Sequence, residues 1–280
     1  MSIDALSKGL ELLQCFSAGT PAWGVTELSA RLGLHKSRVH RILQTLVKSG
    51  FIAQDQTTLR YHLGWNLFRL AQAADPDHPL RIAARPHLLW LREQTKGSVY
   101  LRVMRGGGNV ILETVESSHP LRLVQPPGTM RPAHYGASGK VLLAFGPAAV
   151  SESVLSDSRL ARFTPRSIVD RDAFLVELGR VKRRGYAFTD GEAVVGVRSV
   201  AAPILSPEGV GIAAVASALP SQSLPLRLVP AHARAVMQCA EKIARSLFGA
   251  SKIVRPGPSR REKKVAPGPW NLDASQRLCG

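Results

Sequence analysis

Apolar residues with helical spacing open the most informative stretch of the chain. Val25, Leu28 and Leu32 form one apolar stripe on a first short helix, and Thr26 stands where an N-cap is expected. Gly33 follows the last residue of that stripe, in the position of a glycine that ends a helix. The pattern therefore predicts a short helix followed by a tight turn.

A second amphipathic helix is predicted to begin near His35. At about 100° per residue its apolar side chains fall within one arc. These residues are Val39, Ile42, Leu43, Leu46 and Val47. The opposite arc holds Ser37, Arg41, Gln44 and Lys48, flanked by Arg38 and His40. One face of this helix suits a core, and the other suits hydrogen bonding.

A hairpin is predicted directly after the second helix. Gly50 occupies the C-cap position, and residues 51–54 and 59–62 alternate as two strands joined by residues 55–58. Arg60 lies on this hairpin. Helix, turn, helix and hairpin in this order predict a winged helix-turn-helix over residues 1–63.

The polar face of the second helix suggests DNA as a partner. A lone basic amphipathic helix is more often only a solvated surface helix. In a winged helix-turn-helix, arginine reaches guanine edges, and serine or lysine reaches phosphates. The predicted DNA-binding residues are Thr26, Lys36, Ser37, Arg38, His40, Arg41, Gln44 and Arg60.

Helices and strands alternate irregularly through the rest of the chain. Leu6, Leu10, Leu13 and Phe16 predict an opening helix that packs behind the reading helices. A connecting helix is predicted over 65–74, and the Pro- and Asp-rich residues 75–79 predict a boundary, so 64–79 is assigned as linker. Beyond it we predict helices over 80–95, 139–145, 148–155, 171–184 and 230–248, and strands over 99–103, 110–115, 121–124, 186–189, 200–205 and 210–218. Residues 80–250 are thus predicted to form an α+β sensor-like domain.

Composition and charge narrow the class of protein. The 280 residues carry a formal net charge of +17, which favours a polyanionic partner. The predicted DNA-binding part of the chain is not the source of this positive charge, since residues 1–80 hold eight Lys/Arg against six Asp/Glu. Residues 251–280 hold seven against two and are rich in Pro and Gly, which predicts a basic disordered tail.

Cysteine usage and hydropathy predict a cytoplasmic protein. Cys15, Cys239 and Cys279 have neither the spacing of a metal site nor that of a disulfide framework. No apolar run is long enough to span a membrane, and no signal peptide is recognisable. We expect no cofactor and no bound metal.

Motifs in both halves of the chain resemble those of IclR-type bacterial transcriptional regulators. LSKGLELLQCF and ELSARLGLHKSRVHRILQTLVKSGFI are similar to the first three helices of that family. RPAHYGASGKVLLAF and GYAFTDGEAVVGVRSVAAPIL are similar to its two effector-domain signatures. The resemblance covers about residues 3–248. It implies an N-terminal winged helix-turn-helix joined by a helix to a GAF-like α/β domain that binds a small metabolite and forms homodimers or homotetramers.

The resemblance also implies an effector site. The matching residues are Gly136, Ala137, Ser138, Thr189, Ser199, Ala216 and Ala218. Free N–H groups at the helix start suit a carboxylate, although Gly136 and Gly139 also fit a mere packing role. Thr189 replaces an acidic residue of the glyoxylate-responsive pattern, Ser199 a cysteine, and the two alanines replace serines. The less polar floor implies a larger or more apolar acid than glyoxylate or pyruvate.

Signals for an enzyme are weak. GASGK lacks the glycine and the Ser or Thr of a phosphate loop, which are replaced by His134 and Val141. Asp190 and Glu192 lie on a predicted turn, and His134 suits hydrogen bonding in a core better than metal binding. The sequence predicts no enzyme. It predicts a regulator, repressor or activator, of a metabolic or catabolic operon that binds double-stranded operator DNA and responds to a carboxylate or aromatic acid. A sensor without DNA specificity, or an enzyme on the same fold, is the alternative.

Overall fold

The structure is a computed structural model that describes residues 4–16, 20–73, 78–156 and 160–249. The chain divides into two compact units, one ending with the linker helix and the other beginning with the long helix after it. Residues 75–77 of the expected boundary and the tail expected to be disordered, 251–280, lie outside the described residues.

The described residues of the N-terminal unit form four helices and a small antiparallel sheet. Its elements are α1 (Asp4–Gln14), β1 (Ala22–Trp23), α2 (Val25–Leu32), α3 (Lys36–Lys48), β2 (Ile52–Gln54), β3 (Tyr61–Leu63) and α4 (Trp65–Ala73). The strand order is β1-β3-β2. This arrangement confirms the winged helix-turn-helix. The two residues of β1 were not predicted, because so short a strand shows no alternation.

A glycine lies at or just beyond the C-cap of each helix of the helix-turn-helix. Gly33, with a φ of 64°, is the C-cap of α2 and donates its N–H to the carbonyl of Ser29. The prediction that Gly50 is the C-cap of α3 is wrong by one residue, because the C-cap is Ser49 and Gly50 follows it with a φ of 71°. The prediction that Thr26 caps α2 is wrong. The N-cap is Gly24, whose N–H donates to the Glu27 carboxylate at 2.9 Å, and Thr26 lies exposed within the first turn.

The core of the N-terminal unit lies beneath α3. Its buried side chains are Leu12, Phe16, Leu28, Val39, Leu43, Ile52 and Tyr61. The face expected for α1 is wrong in part, because Leu12 is fully buried whereas Leu6 and Leu10 are 59% and 52% exposed. Phe16, which follows the helix, is buried as expected.

The C-terminal unit contains a six-stranded antiparallel sheet and five α-helices within its described residues. The elements are α5 (His78–Thr95), β4 (Ser98–Arg105), β5 (Gly108–Val115), β6 (Met130–Pro132), α6 (Gly136–Phe145), α7 (Ala148–Leu155), α8 (Arg171–Arg184), β7 (Ala187–Asp190), β8 (Val197–Leu205), β9 (Gly211–Pro220) and α9 (Val229–Phe248). The strand order is β6-β5-β4-β9-β8-β7. The α+β class is confirmed.

Helices cover the sheet on both faces. Helices α5 and α9 pack on one face, where Leu101 and Val215 are fully buried. Helices α6 and α8 belong to the core of the other face, which includes Ala201 and Ala216. Because neighbouring residues of a strand point to opposite faces, each central strand contributes to both cores.

One predicted strand, residues 121–124, is wrong. Leu121 and Val124 are mostly exposed, and the chain between β5 and β6 is irregular. Side chains hold this segment instead of a ladder of backbone bonds, since the Tyr100 hydroxyl donates to the carbonyl of Leu123 at 2.6 Å. The pairing partner of β5 on this side is β6. We call residues 116–129 the strap.

We predict that Leu43→Ala lowers the free energy of unfolding of the N-terminal unit by about 2–5 kcal/mol, because Leu43 is fully buried at the centre of its core. Thr45→Ala on the same helix is the control, since Thr45 is exposed and its hydroxyl only bonds the carbonyl of Arg41. Chemical denaturation measures both. Equal stability of the two variants would contradict this description of the core.

Candidate functional site

The polar face of α3 is open to solvent. The exposed members of the predicted set on this helix are Lys36, Ser37, Arg38, His40 and Arg41. Gln44 is half-buried, one turn further along. Val39 and Leu43 are buried on the opposite side. The helix therefore presents donors of several lengths on one side while its other side fixes its position.

Two of the predicted DNA-binding arginines already have carboxylate partners. Arg38 pairs with Asp4 of α1. Arg60 pairs with Glu27 of α2 at 2.8 Å and donates to the carbonyl of Ala22 at 2.9 Å. Arg60 thus ties the wing to α2 and β1, an intramolecular contact that competes with a phosphate. Arg41 has neither kind of partner among the described residues.

Glu27 joins α2 to the wing. The N–H of Gly24 and then the guanidinium of Arg60 lower the pKa of the Glu27 carboxyl. The carboxylate therefore stays charged while it caps the helix and holds the arginine. The sequence alone did not indicate a role for this carboxylate, because its partner lies 33 residues away on the hairpin.

A cavity in the C-terminal unit brings together all seven residues expected to contact the effector. Gly136, Ala137, Ser138, Thr189, Ser199, Ala216 and Ala218 all line it. The enclosed space is about 40 Å³, enough for a few waters or a very small acid without movement of the lining. Residues that are far apart in the chain therefore line one cavity.

The sheet register explains how the floor of the cavity is built. Thr189 pairs with Ser199, and Ser199 pairs with Ala218, so the three form a row across β7, β8 and β9. In the neighbouring row Ala216 pairs with Tyr100 on β4. Cross-strand partners point to the same face, which places these side chains beneath the start of α6.

The start of α6 forms the opposite wall. Gly136 has a φ of 64°, a conformation that glycine adopts without strain, and no side chain caps the helix. Gly139 has a packing role, because a Cβ there would lie 2.4 Å from the carbonyl oxygen of Ala133. The structure therefore gives a basis for an open helix start at Gly136 and for a packing role at Gly139.

Several cavity residues were not predicted from the sequence. They are Tyr100, Arg102, Leu123, Gln125, Ala193, Val194 and Val197. Arg102 left a signal, since it interrupts an apolar strand at a position that faces away from α5 and α9. No sequence pattern indicated Leu123 and Gln125, because the strap that carries them has no regular secondary structure.

Arg102 is the main charge of the cavity. It is 4% exposed, and it donates to Asn109 Oδ1 at 3.2 Å and to Gln125 Oε1. Its guanidinium carbon lies 5.6 Å from the ring centre of Tyr100 and 6.0 Å from that of Tyr135. Burial lowers the pKa of Arg102 to about 10, so the side chain is still a cation at neutral pH.

A loop from Gly191 to Gly196 closes the cavity beside Gly136. Lys140 of α6 is 2% exposed and pairs with Glu192 of this loop at 2.6 Å. Thr164 donates its hydroxyl to the carbonyl of Gly191 at 2.7 Å, which adds a neutral anchor. The position of the loop therefore depends on a buried ion pair.

The geometry explains the weak enzyme signals. Asp190 pairs with Arg198, whose hydrogen bond is the main cause of a lowered pKa of the Asp190 carboxyl, whereas Glu192 pairs with Lys140. The two carboxylates thus neutralise different cations. His134 bonds the carbonyl of Ala161 through Nε2 at 3.1 Å, and its pKa is lowered by burial, as suits the expected hydrogen-bonding role.

Two kinds of feature are absent from the described residues. They contain no group of three His, Cys, Asp or Glu side chains placed to hold a metal ion. None of their helices combines the length and the apolar character needed to cross a bilayer.

Comparison with known families matches both units. A family model described as the IclR helix-turn-helix domain matches residues 5–56, and one described as the C-terminal part of bacterial transcriptional regulator IclR matches residues 72–245.

Curated relatives match over most of the chain. The chain is 34% identical to the glycerol operon regulatory protein of Streptomyces coelicolor over 257 residues, which cover 90% of this chain and 99% of that protein. It is 31% identical to the HTH-type transcriptional regulator BhcR of Paracoccus denitrificans, with 86% of each chain covered.

Solved structures show the same fold. An IclR homolog from Microbacterium hydrocarbonoxydans, crystallised with 4-hydroxybenzoate, is 26% identical with a TM-score of 0.76, covering 87% of this chain and 98% of that one. The IclR of Thermotoga maritima, at 24% identity and a TM-score of 0.72, covers 89% and 100% and supports the fold alone.

We predict that Glu192→Gln lowers the free energy of unfolding by about 3 kcal/mol, because it leaves the buried Lys140 ammonium without an opposite charge. Adding Lys140→Met to that variant should restore part of the loss. Urea denaturation of the single and double variants measures the coupling, and Glu152→Gln on the exposed side of α7 is the control. Additive effects of the two changes would contradict a functional ion pair.

Proposed function

Because the chain belongs to the IclR family of bacterial transcriptional regulators, we propose that it controls a metabolic or catabolic operon in response to a small carboxylate or aromatic acid. The chain is a DNA-binding regulator, and its family is not one of enzymes. Its place of action is the cytoplasm, where its operator is accessible.

The exposed face of α3 supports sequence reading by this helix. Arg41 extends from the second turn and has no carboxylate partner among the described residues, so its fork of donors is available for a guanine edge. Lys36 and Ser37 stand at the helix start, where a phosphate also meets free N–H groups. Arg38 and Arg60 reach DNA only by exchanging a carboxylate for a phosphate.

The cavity under α6 is the proposed effector site, and its lining is the observation that carries this assignment. All seven residues expected from the family resemblance line it. Ala216 and Ala218 make one side apolar, and Arg102 makes the other positive. An acid with a small apolar body fits this division. The 4-hydroxybenzoate found with a similar protein belongs to that class.

We also propose a homodimer or homotetramer. Within the N-terminal unit, α4 exposes Trp65, Phe68 and Leu70, and α1 exposes Leu6 and Leu10. Apolar surface of this kind is typical of an interface between chains. Two copies of a helix-turn-helix would read two half-sites about one helical turn apart.

We predict that Arg41→Ala weakens binding to the operator by about 1–3 kcal/mol and reduces discrimination against altered half-sites. Lys48→Ala, at the exposed end of the same helix, is the control for lost charge. Competition binding across a salt series, on an operator found by genome-wide binding, measures both. An Arg41→Ala variant that loses affinity equally for operator and random DNA would place Arg41 on the phosphate backbone.

Arg60→Ala should weaken binding to operator and random DNA alike if Arg60 leaves Glu27 for a phosphate. The slope of the logarithm of the binding constant against the logarithm of the salt concentration should then fall in magnitude by about one. The same salt series measures this slope. An unchanged slope would mean that Arg60 only holds the wing in place.

We predict that the effector binds as an acid at least tenfold more tightly than its amide, because charge-assisted hydrogen bonds are lost with the amide. Ala218→Leu should abolish binding by filling the cavity, while Ala216→Ser should favour smaller and more polar acids. Calorimetry on the full chain with aliphatic and aromatic acids and their amides is the measurement. Effector binding that survives Ala218→Leu would place the site elsewhere.

A further inference from the structure

Arg102 differs from the other buried charges of this protein. In the described part of the chain three charged side chains are buried: Arg102, Glu113 and Lys140. Lys140 has Glu192 at 2.6 Å, and Glu113 has Arg85 at 2.7 Å. Arg102 has no carboxylate within ion-pair distance among these residues, so its charge is met only by neutral groups.

Neutral amide oxygens stand where a counter-ion is expected. Asn109 and Gln125 each accept one hydrogen bond from the guanidinium, and the aromatic faces of Tyr100 and Tyr135 complete the surroundings. Burying a charge is costly unless it is paired or fully hydrogen-bonded. Such a cation at the wall of a cavity is a site prepared for an anion.

We propose that the effector carries an oxyanion group that binds Arg102 by displacing the side-chain amide of Gln125. This inference rests on the proposed function, since it assumes that the cavity under α6 receives the effector. It moves the charged end of the effector from the start of α6 to β4. The shared chemistry is a carboxylate or a phosphate, each able to accept two parallel hydrogen bonds from arginine.

Gln125 is the replaceable partner because its backbone is held independently. Thr114 donates its hydroxyl to the carbonyl of Gln125 at 2.7 Å, and Tyr100 donates to the carbonyl of Leu123 at 2.6 Å. The Gln125 side chain can therefore leave Arg102 while the strap stays attached to β4 and β5. Asn109 is less free, since it is fully buried and its amide also donates to the carbonyl of Tyr135 at 3.3 Å.

The exchange also creates room. The cavity encloses only about 40 Å³ with Gln125 in place. Withdrawal of a side chain that is itself 6% exposed enlarges the space next to Arg102. Anchoring and opening thus become one event, and the strap is the element whose surface changes when the effector binds.

A first experiment needs no ligand. Gln125→Glu places a carboxylate of nearly the same shape beside Arg102 in the full chain. We expect the melting temperature to rise by roughly 3 °C or more, since the buried cation gains a counter-ion. Gln94→Glu, the same change at an exposed position of α5, should leave it within error. A melting temperature that is unchanged or lowered by Gln125→Glu, with the Gln94→Glu control unaffected, would overturn the inference.

A second experiment follows the exchange with defined probes. Calorimetry compares 4-hydroxybenzoate, 4-hydroxybenzamide and inorganic phosphate on the unaltered chain and on Gln125→Ala, Gln125→Glu and Arg102→Gln. The bound anion, whether the benzoate or phosphate, should bind a few-fold more tightly to Gln125→Ala, which lacks the competing amide. It should bind at least tenfold more weakly to Gln125→Glu, whose own carboxylate occupies the arginine.

Arg102→Gln separates this inference from the proposed function. Loss of the preference for acid over amide in that variant supports Arg102 as the anchor. Survival of the preference overturns the inference, while leaving an acid effector held by the start of α6. If no probe binds the unaltered chain, the melting temperature of Gln125→Glu still decides whether Arg102 requires an anion.

Discussion

The alternation of side chains on a sheet covered on both faces is the constraint on which the effector unit depends. Leu101 and Val103 of β4 pack towards α5 and α9, which obliges Tyr100 and Arg102 to point towards the cavity. A slip of one residue in register would exchange the two sets and expose a charge to the apolar core. Apolar packing on one face of the sheet therefore positions the binding groups on the other.

Local signals sufficed wherever an element is specified by residues close in the chain. Helix α8 begins after Asp170, which accepts the N–H of Ala173, and ends at Gly185 in the left-handed conformation, so both of its bounds were predicted. The helix-turn-helix was equally predictable, since Gly33 caps its first helix and Gly50 directly follows the Ser49 cap of its second. The family resemblance supplied the seven effector positions, which spacing alone would not have brought together.

Long-range contacts account for what was not predicted. The N-cap of α2 is Gly24, in place of Thr26, and its N–H bonds the Glu27 carboxylate. This carboxylate is also held by Arg60 on the hairpin, 33 residues away. The apolar pattern of the strap is typical of a strand. The hydroxyls of Tyr100 and Thr114 nevertheless bond two of its carbonyls, and residues 121–124 do not join the sheet. No local pattern reveals that Gln125 meets Arg102, because 23 residues separate them.

The double duty of Glu27 links the cap of α2 to the position of Arg60, a predicted DNA-binding residue. Its carboxylate both caps α2 and pairs with the Arg60 guanidinium, which then has fewer donors available for a phosphate. Removing the charge of Glu27 would free the Arg60 guanidinium to contact DNA of any sequence. The same change would remove the cap of α2. If Arg60 contacts phosphates as we propose, a variant at Glu27 with greater nonspecific affinity for DNA would also have a weaker fold, and selection for nonspecific binding at this position would oppose selection for stability.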